Sequence, residues 1–152
     1  MTDIVTNRAK GRVAEFFERV DNNDPANSAI ILVPLETSGL ETDAVLRDKD
    51  TLADLLSGST NEQTTMGRKT LTDTELSAIT IDDTNDRVDV TLPQVTWAAA
   101  TGNAVAKLAI CYDADTTGGA DSNITPLLIL DFVATPDGNA IQLNSGVAYR
   151  AS

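Results

Sequence analysis

Residues 80–97 read TIDDTNDRVDVTLPQVTW. Asp82, Asp83, Asn85, Asp86 and Asp89 crowd into this stretch and suggest, at first sight, a metal or catalytic cluster. The residues on either side give another reading. Ile79 and Ile81 alternate with Thr80 and Asp82, and Val88, Val90 and Leu92 alternate with Asp89 and Thr91. Two period-two runs around a short Asp/Asn turn predict a β-hairpin, because Asp and Asn bond their own backbone and tolerate unusual φ. Pro93 breaks the outgoing strand, and VTW resumes it with Trp97 as a large buried anchor.

The rest of the second half follows the same rhythm. Leu108, Ile110 and Tyr112 alternate with Ala109 and Cys111, which makes Cys111 a half-buried structural thiol. PLLILDFV, residues 126–133, is apolar on both faces and predicts a central strand. AIQLNSGVAYR, residues 140–150, predicts two short strands around NSG. Strands at about ten-residue spacing, with no helices between them, indicate an antiparallel β-sandwich or jelly roll rather than a parallel α/β sheet.

Upstream of Leu71 the pattern differs. Val13, Phe16, Phe17 and Val20 fall on one face of a helix that Asn7 can cap, and DNNDPANS, residues 21–28, ends it. AIILVPL, residues 29–35, predicts a strand covered on both faces. A short helix is expected over residues 50–58, capped by Asp50 or Thr51 and stopped by Gly58. Residues 59–70 are polar and predict a long exposed loop. The expected organisation is thus a helical segment or arm, residues 1–25, and a single β-sandwich domain, residues 26–152. A chain of 152 residues is large enough to fold on one core without disulfide or metal.

Composition narrows the chemistry. There are 23 acids against 11 bases, a net charge of −12, and no basic run to hold nucleic-acid phosphates. No stretch has the length of a membrane helix, and no apolar signal core opens the chain. Histidine is absent, and with it the usual general base and zinc ligand. Cys111 is the one cysteine, so no internal disulfide exists. The run 112–123, YDADTTGGADSN, starts like a calcium loop. The residue where a closing Glu would fall is Ile124, so a flexible inter-strand loop is the better reading. Neither a G-x-S-x-G elbow nor a glycine-rich phosphate loop occurs. These features predict a non-enzyme without cofactor or metal, made in a cytoplasm and binding neither nucleic acid nor membrane.

The order of segments carries a resemblance. The opening TNRAK, then DDTNDRVDVTLPQVTW, AKLAICYDADT and SNITPLLILDF, resembles a group of small structural proteins of tailed bacteriophages, the head decoration or cement type. The resemblance implies a sandwich or jelly-roll body that forms homo-oligomers, often trimers. It also implies a place on the outer surface of the virion's capsid, where such a protein binds and stabilises the shell of major capsid protein. It transfers no site residues. A tail, baseplate, collar or fibre-attachment module is the alternative reading, and a carbohydrate-binding sandwich the third. The basic cluster Arg8, Lys10 and Arg12 stands out in so acidic a chain. With Phe16 and Phe17 it forms the candidate partner interface, the helix packing either on its own domain or on a partner.

Overall fold

The computed structural model describes residues 3–76 and 79–152. The chain is mainly antiparallel β, in a sandwich-like arrangement with three short helices. Among the described residues ten strands divide into sheets of five, three and two, not the two four-stranded sheets of a jelly roll.

The largest sheet is built on the two most apolar runs. β2 (Ala29–Glu36) and β7 (Val105–Asp113) pair antiparallel along their length, and β7 is buried at every position. β8 (Thr125–Ala134) continues the sheet beside β7. β1 (Ile4–Val5) and β3 (Lys69–Leu71) close its edges, giving the order β1-β8-β7-β2-β3. Alternate side chains on a strand point to opposite faces, so a strand apolar at every position needs cover on both sides. One face carries Ile30, Leu32, Leu108, Ile110 and Tyr112, packed with α1 (Val13–Asp21) and with Val90, Leu92 and Trp97. The other carries Ile31, Val33, Leu35, Ala109 and Cys111, covered by Leu46 of α2 (Asp43–Arg47) and by Leu52 and Leu55 of α3 (Leu52–Leu55). Cys111 is therefore fully buried rather than half-buried, and desolvation pushes its thiol above the usual pKa.

The remaining strands complete the first cover. β4 (Ile79–Asp82) and β5 (Arg87–Leu92) form the expected hairpin, with Asp82 opposite Arg87. β6 (Val95–Trp97) pairs with β9 (Ile141–Leu143), and β10 (Gly146–Ala151) pairs with β5. The two short strands around NSG are present, but they belong to different sheets.

Three expectations are corrected. The N-terminal helix begins at Val13, not after Asn7. Residues Asn7–Ala9 form a 3-10 turn, and Gly11 takes φ +74°, in the left-handed region that interrupts a helix. The preceding backbone is held elsewhere: Thr6 N–H donates to the Leu127 carbonyl at 3.1 Å, and its hydroxyl donates to that of Pro126 at 2.7 Å. Secondly, residues 3–25 are no separate arm. β1 pairs with β8, and α1 shares the domain's main core; residues 1 and 2 of the expected arm lie outside the described residues. Thirdly, the polar stretch 59–70 is no free loop. Gln63 is buried, donates to the Asn103 carbonyl at 2.9 Å, and accepts from the Thr65 and Met66 N–H groups at 2.8 and 3.2 Å. Gly102, at φ +106°, leaves the space that this amide fills.

Trp97 is 1% exposed. Its indole N–H donates to the Gly67 carbonyl at 2.9 Å, and its ring lies 5.8 Å from that of Phe132. Trp97→Ala is expected to cost roughly 3–5 kcal/mol of stability. Urea unfolding checks this, and a loss under about 1 kcal/mol would contradict a core role.

Candidate assembly surface

The N-terminal candidates divide between core and surface. Phe16 and Phe17 are buried in their own domain, Phe16 with its ring 4.8 Å from that of Tyr112. The part of the expected interface that rested on these two rings is corrected: an amphipathic stripe cannot show from sequence which surface covers it, and here the chain's own sheets do. Arg12 is engaged locally. Its Nε lies 2.9 Å from Glu15, and its guanidinium stands 4.7 Å above the Phe16 ring. Glu15 also bonds Arg19 at 2.9 Å. Between these two arginines, Arg12 chief among them, the Glu15 carboxyl is held down at about 2. Arg8 and Lys10 are exposed and flank the buried Ala9 on the turn beside β8.

The acidic hairpin is a turn, as its spacing predicts. The Asp82 carboxylate accepts from Asn85 Nδ2 at 2.7 Å and from Asn85 N at 3.2 Å, which holds its pKa below the usual carboxylate range. Arg87 Nε lies 3.1 Å from Asp82 and 3.5 Å from Asp89 without alignment for a hydrogen bond to either. Across the strands Arg150 grips Asp89 through two bonds of 2.6 and 2.9 Å, and lowers the Asp89 pKa.

The other face of this sheet matters more. Ile79 pairs with Val90 and Val90 with Tyr149, and this row packs into the core. Two residues further along, the same face presents Ile81, Val88 and Ala151. Cover thins along this row: Val88 and Ala151 are half-buried and Ile81 is exposed. Ile81 is 70% exposed, and with Val88, Ala151 and Ser152 it lines an open cleft of about 400 Å³ whose charged lining is Asp82, Asp83, Asp86 and Arg87. Residues i and i+2 share a face, so this row follows directly from the hairpin register. The alternation located the apolar face of the hairpin; nothing local in the sequence marks where its cover stops.

The second acidic run folds on itself. Asp113 Oδ1 accepts from Asp115 N at 3.0 Å, and Asp115 Oδ1 accepts from Thr117 N at 3.0 Å. Among the described residues no group of three or more His, Cys, Asp or Glu is placed to hold a metal ion, and no described helix is long and apolar enough to cross a membrane.

Two ionic clusters lie outside every sequence expectation. Lys107, in the middle of β7, is fully buried, with Nζ 2.6 Å from Asp131 and 3.3 Å from Asp43. Asp131 is its register partner on β8, and Asp43 comes from α2, so the pair of contacts ties that helix to the sheet. A lysine inside VAKLAIC was the available signal. Arg68 forks between Glu62, at 2.7 Å through two nitrogens, and Asp121, at 2.7 and 2.9 Å. Both acids raise the Arg68 pKa, Asp121 most, and Arg68 in turn lowers that of Asp121. No family model, curated protein or solved structure matches the chain.

Two outcomes follow from these contacts. A carboxylate with a depressed folded pKa stabilises the fold fully above its ordinary value, about 3.9, and this contribution is lost as pH falls through the lowered value. The Arg68–Asp121 link is therefore expected to be worth up to about 1 kcal/mol at neutral pH, to decline below the ordinary value and to be gone once the pH has fallen through the lowered Asp121 value. In melting curves the gap between wild type and Asp121→Asn should close as the pH drops; a gap constant with pH would contradict the link. Replacing Asp82, Asp83 and Asp86 together by Asn should keep stability within about 1 kcal/mol, since Asn serves the turn equally well. Unfolding of the triple variant at neutral pH would contradict the turn reading.

Proposed function

We propose that this chain is a structural virion protein of a tailed phage, a capsid cement or decoration protein that binds the head shell from outside. The observation that carries the reading is where the resembling segments fall. DDTNDRVDVTLPQVTW builds the β4–β5 hairpin and the Trp97 anchor, AKLAICYDADT builds most of β7, and SNITPLLILDF opens β8. In this chain these segments are scaffold, from the central strand to the hairpin at the margin of the core. An acidic surface suits a protein displayed in many copies, because it disfavours adhesion to nucleic acid and to anionic membranes. Its working energy in this role is interface burial with the major capsid protein and with its own copies.

Quantitative mass spectrometry of purified particles tests the reading. The expected result is a copy number comparable to that of the major shell protein. About six or twelve copies, the numbers set by tail symmetry, would move the chain to the tail, and its absence from particles would end the proposal.

A further inference from the structure

We infer that the overhanging row Ile81–Val88–Ala151 is the seat for the Arg8–Lys10 turn of a second copy of this chain. The inference deepens the reading above, which expects copies to associate, and it is tested on the isolated protein so that particle binding is judged separately.

Three observations carry it. The first is Ile81, the exposed end of a row whose other members, Val88 and Ala151, are half-buried. Ile81, at 70% exposure, projects from a sheet whose next row inward is core, and a β-branched apolar side chain in a cleft gains by being covered. The second is the strand beside it. In the order β10-β5-β4, β4 is an edge strand that among the described residues pairs with β5 alone. The third is charge. The charged lining is Asp82, Asp83, Asp86 and Arg87; Arg87 lies 3.1 Å from Asp82, and among the described residues Asp83 and Asp86 make no ion pair, so the cleft stays net acidic.

Charge also selects the occupant. Two copies meeting rim to rim would set aspartates against aspartates, on chains that each carry −12, and like charges in contact repel. A cationic surface with long side chains fits instead. The Arg8–Lys10 turn is such a surface. Its two cations project from a short turn on either side of the buried Ala9, and among the described residues neither makes an ion pair. Their aliphatic stems can lie over Ile81 and Val88 while their heads reach the rim carboxylates. Arg12, one residue beyond the turn's Gly11, is occupied by Glu15 and takes no part.

The turn and the cleft are different surfaces, the first beside β8 and the second in the three-stranded sheet. Their contact is therefore head-to-tail, and copies joined in this way close into a ring or run on as a filament. That geometry sets a specific test. A copy with a damaged cleft still offers its turn, and a copy with a damaged turn still offers its cleft.

Sedimentation velocity on the purified chain, across a wide concentration range and at low and high salt, is the experiment. Wild type should associate as concentration rises, and less so at high salt. Ile81→Lys and the double variant Arg8→Glu/Lys10→Glu should each weaken association by about tenfold or more. Mixed together, the two variants should form a 1:1 dimer that grows no further. All three residues are exposed, so each variant should melt like wild type. If Ile81→Lys does not, Ile81→Ser takes its place. A wild-type chain that stays monomeric throughout would overturn the inference and leave the cleft to some other occupant. So would variants that associate as wild type does, or a mixture that gives no 1:1 dimer.

Discussion

The fold depends on one strand. β7 is apolar at nearly every position from Val105 to Tyr112, and such a strand is stable only when both faces of its sheet are covered. Every other element answers to that requirement. The N-terminal segment, the β4–β5–β10 sheet and Trp97 cover one face, and α2 and α3 with Ile124 cover the other. The segments that supply the two covers come from both ends of the chain and from its middle. This explains why the first residues, which look like a detachable arm, are stitched in by β1 and by the Thr6 bonds to β8.

The exception inside that strand is Lys107. A buried ammonium is costly unless it is paired, and its two aspartates come from β8 and from α2. In a buried ion pair the desolvation penalty offsets much of the attraction, while loss of one partner leaves an uncompensated charge. The cluster's effect is on position: a short helix of five residues, too short to hold itself, is placed over the sheet by a charge that has to be met. Arg68 does the same for the polar stretch 59–70, fastening it to the turn at Asp121.

The parts legible in the sequence were those with a strict period. The hairpin around DDTND, the two-sided run at 29–35, the Thr51 cap and the break at Pro93 all follow from local pattern, and all are where the pattern puts them. Other features depend on contacts distant in the chain and could not be read locally. The start of α1 was misplaced because Gly11 and the pull of β8 on Thr6 outweigh the capping potential of Asn7, whose side chain bonds Asp48 instead. The stretch 59–70 looks like a loop because its anchors, the buried Gln63 and the half-buried Arg68, are polar residues held by partners about 40 and 53 positions away. The candidate site was half legible. Arg8 and Lys10 stood out by charge alone, whereas Ile81 looked like any inward residue of an alternating strand, and its exposure appears only once the extent of the covering layer is known.

A two-faced core carries a short acidic hairpin at its margin, and the proposed role rests on surfaces of this kind. The most direct measurement of the central claim is a low-resolution image of purified particles with this chain labelled. The account predicts label at regular positions over the outer face of the head shell. Label confined to the tail, or particles that carry none, would contradict it.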